Sequence, residues 1–306
     1  MNQLPELPER DLPPARHRLL KEHLMTEIRR TAPTASAPNP SRWRRPALVA
    51  AAAVAVVAAL TVAVPSGEPA PAASKEAVAL LEDIALAAER AEAPIGVRDD
   101  QFVYIKSKGG WTTQMGDDVP AKLQPVHQRE VWLSVDGSQE GMLHAPYDRS
   151  DHEPLEKETP GIPSNTNYRH LQTLPTEPDQ MYEWLNRVSE GSGSKDEANF
   201  VLVGDLARES LMPPEQAAAL YRAAAKIRGV FVVDDAVDAV GRRGIAVARV
   251  DDGERVELIF DKKTKEFLGE REVAVEDLPW GFEKGEVTGR FAVLERAVVD
   301  KRGQRP

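Results

Sequence analysis

Apolar positions along the chain follow three different rules. Between Pro14 and Arg30 they repeat at helical spacing, with Leu20, Leu24 and Ile28 on one face, Leu19 and Met25 beside them, and Arg16, Arg18, Lys21, Arg29 and Arg30 around much of the rest. Residues 46–64 show no period: they read PALVAAAAVAVVAALTVAV, uncharged, with Thr61 the single polar side chain. From Ser74 onward, stretches of helical and of alternating period follow one another, as expected of a folded domain.

Within that third region Ser74 is placed to N-cap a helix from Lys75 to about Glu92, whose core face is Ala77, Leu80, Leu81, Ile84 and Ala87/Ala88. Gln101–Lys108 reads as a strand, Gly109-Gly110 as a turn and Trp111–Met115 as its return. Gln128–Val135 alternates and ends in Asp136-Gly137, a hairpin signal that makes Gln139–His144 the partner strand. Residues 145–176 are rich in proline, glycine and polar residues and read as a long irregular loop, which in a compact domain is a functional or mobile one. Helices are expected at Asp179–Glu190, Lys195–Glu209 and Pro213–Ile227, the last with prolines at its start and Gly229 beyond its end. Val230–Val233, Ile245–Asp251, Val256–Asp261 and Phe267–Val275 follow as strands of a meander, with turns at Asp252-Gly253 and Asp261–Lys265. Strands, then helices, then strands predict an α+β domain with helices on one face of a curved antiparallel sheet.

Residues 46–64 change the picture from a domain to an anchored domain. Nineteen residues at about 1.5 Å each span roughly 28 Å, against about 30 Å of hydrocarbon. Arg42, Arg44 and Arg45 precede the run, Trp43 among them is suited to the interface, and no basic residue follows until Lys75. The expectation is a single-pass protein of the cell membrane, with residues 1–45 cytoplasmic, 46–64 spanning, 65–74 a linker and 75–300 an extracytoplasmic domain. A buried core helix is the lesser alternative. So is a cleaved signal peptide, for which Ala70-Pro71-Ala72 offers an A-x-A site, but the apolar run exceeds the usual h-region and follows a long leader. Charge agrees with the orientation. Met1–Arg45 holds nine Lys/Arg against five Asp/Glu, a net of +4, and Ser66–Pro306 holds thirty against forty-four, a net of −14. So acidic an outer part does not suit nucleic acid. A mean hydropathy of −0.41 excludes a polytopic membrane protein.

The absence of cysteine removes disulfides, thiolate metal sites and cysteine nucleophiles. No G-x-S-x-G, P-loop, G-x-G-x-x-G or H-E-x-x-H motif is present. Gly191–Ser194 follows a helix and lacks the lysine-threonine end of a phosphate loop, so it reads as a linker. His127, His144, His152 and His170, with Asp148, Asp151 and Glu153, are the one set that suggests a metal site, but no two of the histidines have helical ligand spacing. The pairs Asp99-Asp100, Asp117-Asp118, Asp234-Asp235 and Asp251-Asp252 read as solvated turns. No catalytic residue, cofactor or metal ligand is therefore expected.

The tail RHRLLKEHLMTEIRR (Arg16–Arg30), the Ala/Val span, EAVALLEDIALAAE and ELIFDKKTKEFLGE (Glu257–Glu270) together resemble an uncharacterised family of actinobacterial single-span membrane proteins, often encoded beside extracytoplasmic-function sigma factors. The resemblance covers nearly the whole chain and implies topology and a regulatory neighbourhood. A zinc-type anti-sigma domain, with its His/Cys motif and several helices, does not fit a tail that lacks cysteine and has room for one helix. The architecture is also similar to lipoprotein-carrier and periplasmic sigma-regulator folds, by analogy alone. The leading expectation is a non-enzymatic sensor or regulatory protein: the membrane is its partner through residues 46–64, a cytoplasmic protein or anionic lipid its partner through residues 14–30, and an envelope ligand its partner outside. A lipid- or peptide-binding envelope carrier and an exported hydrolase are the alternatives.

Overall fold

A computed structural model describes residues 70–114, 119–148, 150–157, 165–191 and 193–306. The predicted tail helix at 14–30 and the apolar run at 46–64 lie outside them. No helix of the described residues is long and apolar enough to cross a membrane.

Among the described residues, five α-helices and ten strands make up the domain. They are α1 (Lys75–Glu89), β1 (Phe102–Thr113), β2 (Lys122–Leu123), β3 (His127–Ser134), β4 (Gly141–Ala145), β5 (Ser150–Leu155), α2 (Tyr168–Leu171), α3 (Pro178–Val188), α4 (Lys195–Arg208), α5 (Pro214–Ala224), β6 (Phe231–Val237), β7 (Arg243–Asp251), β8 (Glu254–Phe260), β9 (Phe267–Ala274) and β10 (Val287–Val299). One antiparallel sheet runs β5-β4-β3-β1-β10-β9-β8-β7-β6, with β2 paired to β1. The α+β class expected from the sequence is thus the observed one.

The helices cover one face. Leu81, Ile84, Leu171, Met181, Leu185, Leu206, Leu220 and Ile227 from the helical layer meet Val247, Leu258 and Phe260 of the sheet, all essentially inaccessible. A neighbouring cluster, Val103, Ile105, Val131, Leu133, Phe291 and Val293, packs on Tyr168 and Leu211 from the same side. Alternation sends Phe102, Tyr104, Trp132 and Met142 to the opposite face. The domain's first residues are tied in by backbone hydrogen bonds, Gly229 N to Pro71 O and Ser74 N to Val230 O. Ser74 caps α1 as predicted, its hydroxyl accepting from Ala77 N at 3.1 Å.

Four expectations are corrected. Gly109-Gly110 is not a turn: β1 runs straight through it, paired to β10 and β3. Glycine is needed there for close approach, since a Cβ on Gly110 would lie 2.4 Å from Gln124 O. The loop at 145–176 contains a strand, β5, and a helix, α2. Pro154 is tolerated in β5 because it is an edge strand, and His152 takes a positive φ of 61° at its irregularity. The Gly191–Ser194 segment is no plain linker. Ser194 accepts from Glu197 N and the Glu197 carboxylate accepts from Ser194 N, a capping box that starts α4. Finally β10, a central strand, was not foreseen. A bulge opposite Lys106/Ser107 breaks its alternation, leaving Leu294 and Glu295 both exposed.

Candidate binding site on the helix-free face

Register assembles the site. Tyr104 of β1 lies between Trp132 of β3 and Ala297 of β10, and Trp132 lies beside Met142 of β4. The Tyr104 and Trp132 rings are tilted against one another with centroids 5.1 Å apart. Two residues before Trp132, on the same face, sits Glu130, wholly buried. Its Oε1 accepts from the Tyr104 hydroxyl at 2.5 Å.

Residues 301–306 lie across this patch after β10 ends. Trp132 Nε1 donates to Gln304 O at 2.5 Å, and Gly303 rests near Met142. Arg305 donates from Nε to Glu130 Oε1 at 2.8 Å and from Nη2 to Oε2 at 2.7 Å. Arg302 reaches Glu140 at 3.3 Å. The arrangement is asymmetric: Glu130 has no exposed side-chain surface, whereas the Arg305 side chain is 62% exposed. A fixed, buried anion is thus met by a cation that is itself largely exposed.

Electrostatics follow from this geometry. Burial pushes the Glu130 carboxyl upward, but the hydrogen bonds from Arg305 and Tyr104 outweigh it and hold the group down at about 2. Tyr104 moves the other way, raised by burial and then by its bond to Glu130. Neither group therefore titrates near pH 7, the carboxylate staying charged and the phenol neutral. This suits recognition of a cation and not proton transfer near pH 7.

The same face continues toward β8 and β9 with a second buried carboxylate, Glu257, bound by Arg255 and Arg271, each at 2.7 Å. On the helix side, Arg208 of α4 pairs with Glu270 at 3.0 Å and Asp205 at 2.5 Å, and lies 5.2 Å and 5.5 Å from the Trp111 and Phe291 ring centroids.

The histidines singled out from the sequence form separate pairs. His127 Nε2 is 3.0 Å from Asp148 and the ring stacks on Tyr147 at 4.4 Å. His144 and His152 lie 4.8 Å apart by ring centroids, and His170 belongs to α2. Among the described residues no three His, Asp or Glu side chains come together as a metal set. Asp235 pairs with Arg243 within the β6–β7 ladder and not at a free turn. The Tyr104–Glu130–Trp132 constellation was not foreseen. Its trace in QREVWLSV is the shared parity of Gln128, Glu130, Trp132 and Ser134, which puts a carboxylate and an indole on the strand's more polar face.

No family model matches the chain, and no curated protein matches it. Among solved structures, the crystal structure of MucB is similar with a TM-score of 0.24 and 14% identity, over 76% of this chain and 61% of that one. The chain spans about 61% of the length of MucB.

Proposed function

We propose that this is a membrane-anchored, non-enzymatic regulatory protein whose outer domain binds a ligand on the helix-free face of its sheet. The observation that carries the reading is Glu130: a buried, ionised carboxylate framed by Tyr104 and Trp132 and satisfied by the largely exposed guanidinium of Arg305. The anchor is residues 46–64, held with 1–45 inside by Arg42, Arg44 and Arg45. The basic amphipathic segment 14–30 is the cytoplasmic contact, and its partner belongs to sigma-factor signalling by the family resemblance noted above. A lipid carrier is a weaker reading, because the helix-facing side of the sheet is filled by the protein's own Leu81, Ile84, Leu185 and Leu206.

Protease treatment of intact cells tests the anchored topology. Digestion of the domain with residues 1–45 protected, and a mature N-terminus ahead of residue 46, is the expected result. A protected domain, or a mature chain that begins after Ala72, overturns it. A pull-down with residues 1–45 tests the regulatory link: retention of a sigma factor is expected, and its absence removes that part of the proposal.

A further inference from the structure

Three features of the contact at Glu130 specify what it recognises. The carboxylate is engaged by both Nε and Nη2 of Arg305, at 2.8 Å and 2.7 Å, a geometry that a lysine ammonium does not reproduce. One residue earlier, the backbone carbonyl of Gln304 is read by the Trp132 indole N–H. One residue earlier again, Gly303, with φ +82°, lies where an added Cβ would come 3.3 Å from Met142 Cε. The indole, phenol, carboxylate and thioether all belong to β1, β3 and β4, three paired strands of the sheet. The receptor half of the contact is thus built into the sheet, and only the occupant lies outside it.

We propose that this patch is a receptor for an arginine-bearing polypeptide that presents a turn with a Gly-x-Arg pattern, as Lys301–Gln304 does through Gln304 N donating to Lys301 O at 3.0 Å, and that residues 301–306 occupy it as an intramolecular competitor. The inference rests on the binding role of the helix-free face argued above. Residues 301–306 follow β10 directly, so their effective concentration at the site is on the order of mM. An external segment with an open-site Kd of about 10 μM then appears about 100-fold weaker to the intact protein. The occupant is held mainly by side chains and Arg305 is largely exposed, which makes displacement local.

The test uses the full chain in detergent micelles and a fluorescein-labelled KRGQRP peptide, read by anisotropy. Arg305→Ala frees the site and is expected to bind the peptide about 100-fold more tightly than the unmodified protein. Glu130→Gln in the Arg305→Ala background is expected to abolish that gain. A peptide with lysine in place of its second arginine is expected to bind at least about 10-fold more weakly. Equal binding by Arg305→Ala and the unmodified protein, or binding indifferent to Glu130→Gln, overturns the proposal. Should near-UV circular dichroism show Arg305→Ala misfolded, amide exchange of the unmodified protein decides. Millimolar peptide must then speed exchange in residues 302–305, and unchanged protection overturns the proposal. None of these outcomes depends on the membrane topology, so the two readings fail separately.

Discussion

Arg208→Met tests whether the ion pair between α4 and the sheet is structural. The side chain is 5% exposed and its partner Glu270 1%, with Asp205 on the other guanidinium edge. The substitution keeps the alkyl volume against Trp111 and Phe291 but removes the charge facing two carboxylates. Stripping one partner from a buried pair costs about 3–5 kcal/mol, because the remaining charge keeps its desolvation penalty. The lost contact with two aromatic faces adds about 1 kcal/mol. Replacing both partners, in Arg208→Met/Glu270→Leu, removes the buried carboxylate together with the guanidinium and should cost less than the single change, within about 2 kcal/mol of the unmodified protein. Equilibrium urea unfolding followed by tryptophan fluorescence reads the difference. A midpoint drop of roughly 1.3–3 M is expected for the single variant, from a slope of about 2–3 kcal/mol per M, with partial recovery in the double. A double variant as unstable as the sum of its parts, or a single variant within about 1 kcal/mol of the parent, refutes the argument.

Three further outcomes follow from the same geometry. The Glu130 carboxyl titrates at about 2 in the fold against an ordinary 4.5, so its contribution is fully present above pH 4.5 and is lost as pH falls through 2; acid titration of the contact between 301–306 and the sheet, read by Trp132 emission, should show release at that end, and release centred near neutrality would contradict it. Gly269→Ala should destabilise by at least about 3 kcal/mol in thermal unfolding, because its Cβ would lie 2.0 Å from the backbone oxygen of Phe291 on the paired strand β10. Ser194→Ala removes the hydroxyl half of the capping box and should cost about 1 kcal/mol by urea unfolding, with Ser194→Asp close to neutral.

The longer helices were legible from local punctuation, with Ser74 before α1, Pro178 at the start of α3 and Pro213 before α5 marking their starts within one or two residues, whereas the four-residue α2, which has no capping side chain, was missed. The β6–β9 meander was legible for the same local reason, with Asp252 and Gly253 at φ 47° and 80° in the tight turn that their types demand. What failed depended on distant neighbours. Gly109-Gly110 looks like a turn until Gln124 O from the segment after β2 and Phe291 of β10 are seen to press on it. β5 carries a proline that only an edge position admits, and β10 has its period broken by a bulge set by β1. The candidate site failed to show for a stronger version of this reason. Its halves, Glu130 and Arg305, are 175 residues apart, and neither segment alone calls for the other.

The position of β10 bears on what a ligand at this site could change. The strand is paired on both sides, to β1 and to β9, and Phe291 and Val293 fix it to the helix-facing core. Arg296 adds a tie to the helical layer, donating to Ala207 O at 2.5 Å and Ser210 O at 2.8 Å, the carbonyl end of α4. A strand anchored by two ladders, a core and a helix terminus does not shift when the six residues from Lys301 to Pro306 let go, Asp300 staying bound to Arg98 and Gln101. Opening free energy follows the contacts broken, and those at stake are the Arg305 fork, the Trp132 bond, the Arg302–Glu140 bridge and the packing on Met142. Displacement by a ligand should therefore leave the sheet as it is and free only the 301–306 segment. Any regulatory output then arises from the released segment or from the bound ligand itself, and not from a rearrangement propagated through the fold.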